Sequence, residues 1–397
     1  MSKLIVKNSE GMKTPFLRGI VTSSLLDVGV HFDIAYQVAT QIRNSIQHKS
    51  EIKTDELRHQ IVEQLEKQDV AKHLVQRYLA ELQSSETIIM VTRPNQSPEE
   101  FSRGRHRLCL EACGLSSDEA TTITSKIYEY LLKNRINEIS SDQLGIQTCI
   151  MLEDRLGKEI SRRYLVWTAY TRGNKPLILL IGGAAGVGKS TIATEVGHRM
   201  GIVRTQSTDM LREVMRMMTP RALSPVLHTS SYNAWKVLPD IEEKTKFDEK
   251  LLRSGYLRQN EKLAVACEAI ITRALKEKVS LILEGVHIHP SLMEKIDFGN
   301  DVIIVPIMLS VLKAGKLKEH FKGREHIAPS RYSVNYIDNF DAIWELQSFL
   351  MAEADRYKVP IVSNINKDSA IQEVMKTIND ALYSHFSHKI DDIFSHA

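Results

Sequence analysis

In the second half of the chain, short apolar runs alternate with longer stretches whose apolar residues recur every three or four positions. Leu177, Ile178, Leu179, Leu180 and Ile181 form an unbroken apolar run, which reads as a buried strand. Further strands are expected at 202–206, 280–284, 302–309 and 360–363, with helical stretches at 244–276 and 335–357. This alternation predicts an α/β fold, a parallel sheet with flanking helices whose ligands bind beyond the C-terminal strand ends. The first part of the chain is patterned differently. Ile34, Val38 and Ile42 share one helical face, as do Ile123, Ile127 and Leu131, so this part is expected to be mostly helical.

That helical part contains a repeat. Pro15-Phe16-Leu17-Arg18-Gly19, continuing to Gly29 and Ala35, matches Glu100-Phe101-Ser102-Arg103-Gly104, continuing to Gly114 and Ala120, at a constant offset of 85 residues. Glu51-Ile52-Lys53-Thr54-Asp55-Glu56-Leu57 then matches Glu138-Ile139-Ser140-Ser141-Asp142-Gln143-Leu144. Each copy closes on Arg-Tyr-Leu, at Arg77 and Arg163. A period this long implies a duplicated small domain. Residues 1–85 and 86–170 are the two copies, with Thr54 and Ser141 as candidate helix N-caps, and residues 171–397 form the domain that follows. Because every strand of the parallel sheet lies beyond Thr171, a chain starting there is expected to keep that fold.

The apolar run 177–181 leads directly into Gly183-Ala184-Ala185-Gly186-Val187-Gly188-Lys189-Ser190-Thr191, which satisfies G-x-x-x-x-G-K-[ST] in strand–turn–helix context. The glycines let backbone N–H groups close around phosphate oxygens, Lys189 can reach the β- and γ-phosphates, and Ser190 can ligate Mg²⁺. A nucleoside triphosphate is therefore expected at Gly183 through Thr191. After the second strand comes Ser207-Thr208-Asp209-Met210-Leu211-Arg212. Thr208 or Asp209 can simply cap the next helix. Across a phosphoryl-transfer cleft, however, Asp209 can orient an acceptor hydroxyl and take its proton. Arg212, with Arg216 one turn on, can then fork onto an acidic group. The third strand delivers Glu284 to its tip, a second candidate for Mg²⁺, where Asp is commoner. His287 and His289 follow and read as packing or weak acceptor contacts rather than metal ligands. Lys316 to Arg331, with Lys318, His320, Lys322, Arg324 and His326, reads as a basic lid loop, Arg324 neutralising the transferring group.

Composition narrows the classes. The 397 residues are 43% hydrophobic and 25% charged, an ordinary folded composition, and the net charge of +3 gives no argument for nucleic acid. No secretory signal and no membrane-length apolar run is evident, so no membrane role is expected. Cys109, Cys113, Cys149 and Cys267 suggest no disulfide framework, which fits a cytoplasmic protein. His106, Cys109 and Cys113 can share a helical face, yet no second ligand cluster has matching spacing, so core packing is favoured.

The repeats resemble the ATP-cone, a small regulatory nucleotide-binding domain. Val6-Lys7-Asn8-Ser9-Glu10-Gly11 followed by Phe16 carries the likeness, which implies a regulatory nucleotide contact at Lys7. The second copy has Met90-Val91-Thr92-Arg93-Pro94-Asn95-Gln96-Ser97 there and lacks the Glu-Gly turn. With the loop from Gly182 to Ser190, the Ser207–Arg216 run, Leu283-Glu284-Gly285-Val286-His287-Ile288-His289-Pro290 and Arg331-Tyr332, most of the chain resembles archaeal 2-phosphoglycerate kinases. The resemblance implies an ATP- and Mg²⁺-dependent phosphotransferase. Its expected acceptor is a small phosphorylated hydroxy acid, 2-phosphoglycerate, converted at its 3-hydroxyl to 2,3-bisphosphoglycerate, a precursor of a cyclic solute. Two alternatives stay open: a kinase of a sugar, cyclitol or other hydroxy acid, and an ATP-driven regulatory switch. Whether the chain forms a homo-oligomer is left open.

Overall fold

The computed structural model describes residues 5–7, 13–46, 48–49, 51–68, 70–84, 88–93, 97–173, 175–239, 247–296, 298–299, 301–327 and 336–394. The chain divides into two compact units: residues 1–104 with 130–139, and residues 105–129 with 140–397.

The repeat is visible in the order of elements. Strands β1 (Ile5–Lys7) and β2 (Lys13–Pro15), two helices (Arg18–Asp27, Phe32–Ile46), β3 (Glu51–Lys53) and two more helices (Thr54–Lys67, Lys72–Ser84) make the first copy. The same order returns as β4 (Met90–Thr92), β5 (Glu99–Glu100), helices Arg103–Ala112 and Ser117–Lys133, β6 (Glu138–Ser140), and helices Ser141–Leu156 and Lys158–Arg172. The sheets match too, in orders β2-β1-β3 and β5-β4-β6. Gly29 and Gly114, 85 residues apart, both hold the positive φ that ends a helix (96° and 90°).

In the first unit, Val28, Val38, Ile42, Ile46 and Leu65 form a core on which Val6 and Phe16 pack. The helix caps fall one residue before the expected positions. Ser140, not Ser141, makes the capping box, accepting from Gln143 N while Gln143 Oε1 accepts from Ser140 N. Thr54 starts its helix behind Lys53, and its hydroxyl donates to Lys7 O at 3.1 Å.

The second unit is built on a five-stranded parallel sheet of β7 (Leu177–Gly182), β8 (Thr205–Ser207), β9 (Leu281–Gly285), β10 (Ile303–Ser310) and β11 (Ile361–Ser363), in order β11-β10-β7-β9-β8. Alternate residues serve opposite faces. Ile178, Leu180, Leu281 and Leu283 meet Cys267, Ile271 and Ala274 of helix Glu249–Lys276. Ile282 meets the helix Lys189–Met200 at Gly197, beside helix Lys367–Tyr383. Strand β8 starts three residues later than expected, because Gly201 (φ 67°) ends the preceding helix and Ile202 N–H is spent on Gly197 O. The basic stretch is not a loop at its start. Residues Ala314–Ile327 are helical, with Leu317 and Phe321, one turn apart, as the buried face. The side chain of Arg324, and Arg331, lie outside the described residues.

Helices of the second repeat belong to this unit. Asn379 Nδ2 donates to Ala112 O at 2.9 Å, and Arg199 approaches Glu111 at 3.9 Å, both nearly buried. Arg172 bonds Asp142 and Ile393 O, each at 2.6 Å, and its guanidinium lies over Phe394. The His106 ring nitrogens meet Thr124 Oγ1 at 2.9 Å and Thr148 Oγ1 at 3.1 Å.

Candidate active site

Strand β7 is central, between β9 and β10, and the chain turns off its tip where the strand order reverses, the usual ligand crevice of such sheets. Gly183, Gly186 and Gly188 hold φ of 144°, 84° and 90°. A side chain would also have no room: a Cβ would strike Leu309 O at Gly183, the Phe321 ring at Gly186 and the Asn364 amide at Gly188. The turn is braced from outside. His320 Nδ1–H donates to Gly186 O at 3.1 Å, and Asn364 Nδ2 donates to Val187 O at 2.8 Å. Ala184 and Val187 are buried, and Ala185 is half-buried. Lys189 opens the following helix with its side chain folded back, Nζ donating to Ala184 O at 2.8 Å. Ser190 and Thr191 are exposed on that first turn. A glycine turn opening a helix, with a lysine laid over it, has the shape and charge of an anion cradle.

Register then assembles the second half. Ile181 pairs with Glu284, and Glu284 with Ser207, so the tips of β7, β9 and β8 lie side by side. Ser190 Oγ donates to Glu284 Oε1 at 2.8 Å. Two hard oxygens at this spacing suit Mg²⁺, which takes few protein ligands and keeps water and phosphate oxygens for the rest. Ser207 ends β8 and caps the helix Thr208–Met218, accepting from Asp209 N at 3.2 Å; the cap is therefore neither Thr208 nor Asp209. That leaves Asp209 exposed in the first turn. Arg212 follows one turn on. Its Nη1 donates to Leu227 O at 3.3 Å and Thr229 O at 3.0 Å, while its Nε is buried, has no hydrogen-bond partner among the described residues and faces Asp209 Oδ1 at 3.8 Å. Arg216 is held by Glu213 on its own helix. Lys189, Ser190, Glu284, Asp209 and Arg212 thus gather around adjoining strand tips.

His287 lies behind them, fully buried. Burial, the largest cause, holds its imidazole down at about 4, so it is neutral at neutral pH. Gln259 fixes the tautomer. Its amide nitrogen donates to Val226 O and Thr229 O, so its oxygen must accept from His287 Nε2–H at 2.9 Å. His287 Nδ1 is left to accept from Thr208 Oγ1–H at 3.2 Å. His289 bonds Ser291 Oγ at 2.8 Å among Tyr256, Phe349 and Tyr357, away from this group, as the packing reading expected.

Three residues here carried no role in the sequence reading. Gly285, directly after the strand-tip carboxylate, is required because a Cβ there would overlap Thr208 Oγ1 and its φ is 155°; the readable signal was a glycine immediately after that carboxylate. Asn364, after β11, offered only a polar residue at a strand end. Gln259, mid-helix, offered none.

Comparison with known proteins decides the family. The chain is 35% identical over 283 residues to the 2-phosphoglycerate kinase of Methanopyrus kandleri, covering 71% of this chain and 84% of that protein. It belongs to the 2-phosphoglycerate kinase family. The family's protein from Pyrococcus furiosus is 33% identical over 278 residues, covering 70% of this chain and 89% of its own length. No family model matches. Among solved structures, polyphosphate kinase 2 from Arthrobacter aurescens TC1 shares 14% identity at a TM-score of 0.30, too low to inform the fold of this kinase family member.

Proposed function

We propose that this chain uses ATP with Mg²⁺ to phosphorylate the 3-hydroxyl of 2-phosphoglycerate, giving 2,3-bisphosphoglycerate. Such a product can feed formation of a cyclic diphosphate. One observation carries the acceptor side: a buried Arg212 Nε without a hydrogen-bond partner among the described residues, 3.8 Å from the carboxylate of Asp209. A buried unsatisfied donor is costly, and an anionic acceptor would satisfy it. An acceptor carrying both phosphate and carboxylate suits a guanidinium, whose planar fork binds either group.

In this reading Gly183, Ala184, Ala185, Gly186, Val187, Gly188 and Thr191 surround the phosphates of ATP. Lys189 exchanges Ala184 O for the β- and γ-phosphate oxygens. Ser190 and Glu284 hold Mg²⁺, which supplies charge neutralisation on the phosphates. Asp209 orients the acceptor hydroxyl and receives its proton, and Arg212 holds the acceptor's acidic group. Arg324 completes the neutralisation of the transferring group. The fold then reads as a P-loop kinase preceded by two ATP-cone-like copies. Their repeated element order supports the duplication, and Lys7, exposed on β1, is the proposed regulatory nucleotide contact.

The test is turnover with product identified by mass. Incubation with ATP, Mg²⁺ and 2-phosphoglycerate should yield ADP and bisphosphoglycerate in equal amounts, whereas sugars, cyclitols and unphosphorylated hydroxy acids should yield little. Lys189→Ala should lower kcat by about three orders of magnitude or more with an unchanged circular dichroism spectrum. ADP release without a phosphorylated acceptor would favour the switch. Equilibrium dialysis on the Lys189→Ala background counts any second nucleotide on the repeats.

A further inference from the structure

The helix Glu249–Lys276 buries Gln259 completely, midway along a face that otherwise carries Leu252, Tyr256, Leu263 and Cys267. An amide at such a position costs desolvation unless every donor and acceptor is used. Here all are used, and all on the acceptor side. Its nitrogen donates to Val226 O and to Thr229 O at 3.0 Å, and its oxygen takes the proton of His287 Nε2 at 2.9 Å. Thr229 O also receives Arg212 Nη1 at 3.0 Å, so glutamine and arginine share one carbonyl. His287 in turn accepts from Thr208, the first residue of the helix that carries Asp209 and Arg212. The bonds close a ring: Thr208, His287, Gln259, the Thr229 carbonyl, Arg212, and back along one helical turn to Thr208. Thr208 and Gln259 are fully buried and His287 is 2% exposed, so none of the three can reach a substrate in the cleft.

We propose that Gln259 and His287 are positioning residues for the acceptor: they lock the carbonyl that grips Arg212 Nη1 at one end of the turn and the Thr208 hydroxyl at the other. This sets Arg212 Nε beside Asp209. The inference rests on the acceptor reading of Arg212 and adds residues that act through it. Because the ring's hydrogen bonds join Thr208, His287, Gln259 and the carbonyl that Arg212 shares, its loss should be felt more by the acceptor than by ATP.

The test is steady-state kinetics with 2-phosphoglycerate and ATP titrated separately. Gln259→Met keeps the length of the side chain and removes the amide. It should raise the KM for 2-phosphoglycerate at least tenfold and move the KM for ATP less than twofold. Thr208→Val, which keeps shape and deletes one hydroxyl, should raise the acceptor KM about three- to tenfold, and Thr208→Ser should restore it. This second variant carries the test if Gln259→Met folds poorly. On an Arg212→Ala background, Gln259→Met should change the acceptor KM less than twofold, because two residues acting through one contact are not additive. Equal changes in both KM values, a lowered melting temperature with an unchanged acceptor KM, or effects that multiply with Arg212→Ala would each overturn the positioning role. Should Arg212→Ala itself leave the acceptor KM unchanged, the acceptor reading falls and the inference with it. A tenfold rise for Arg212→Ala with no response to Gln259→Met or Thr208→Val removes the inference alone.

Discussion

His106 and His287 are imidazoles sealed in the second unit and held down to about 4 by burial. In the unfolded chain each titrates near its ordinary value of 6.5. Between about 6.5 and 4 the unfolded state therefore binds more protons than the native state, and stability falls as pH falls. The contribution is fully present above 6.5 and is lost progressively toward 4, by roughly 3 kcal/mol for each histidine. Urea unfolding at pH 7.5 and pH 5 should show a clear drop in midpoint, and replacing His106 by Gln should flatten the slope. Equal midpoints at the two pH values would contradict neutral burial. At the same scale, Gly285 lets two strand tips and a helix start meet. Its missing Cβ is the space taken by the Thr208 hydroxyl, so a carboxylate at residue 284 and a buried hydroxyl at 208 become neighbours.

At the level of elements, the glycine turn after β7 is held by its neighbours as much as by its own glycines. Asn364 ties it to the end of β11 through Val187 O, and its own N–H is anchored on Ser310 O at 2.8 Å. Asn364→Ala should therefore raise the KM for ATP several-fold while leaving that for the acceptor near its starting value, measured by separate titrations. A rise confined to the acceptor would show that the brace does not act on the turn. Strands β7, β9 and β10 were legible because buried parallel strands are continuous apolar runs, as in Leu177 to Ile181, whereas β8 is the polar Thr205-Gln206-Ser207 and was placed three residues early. The repeat was legible because its turn glycines recur at an offset of 85 residues and its Glu-Ile strand at 87. The caps were misread by one residue because Ser140 and Ser141 are adjacent and only the reach of Gln143 separates them. The basic stretch was misread as a loop because charges dominate it, while its helical signal is only the buried pair Leu317 and Phe321, four apart. Residues acting across the site, such as Gln259, leave no periodic trace, since their partners lie about 30 positions away on other elements.

For the whole molecule, unit boundaries depart from repeat boundaries. The strands of the second repeat, except Ser140, fall within the first compact unit, while most of its helical residues fall within the second. A chain beginning near Thr171 keeps every strand of the parallel sheet yet loses Ala112 and Glu111, which Asn379 and Arg199 meet, and the helix Lys158–Arg172 that packs on Lys367–Tyr383. Contrary to the expectation from strand positions, it should melt at least 10 °C below the full chain or fail to fold, followed by thermal denaturation. An unchanged melting temperature would show that these helices are dispensable. The bond from Asn379 to Ala112 spans 267 positions. During synthesis Ala112 leaves the ribosome long before its partner is made, and its carbonyl must wait in the nascent chain for a helix near the far end. Late closure of so long a loop makes folding slow and leaves an early segment open to chaperones, so production of this protein should depend on them more than its ordinary composition suggests.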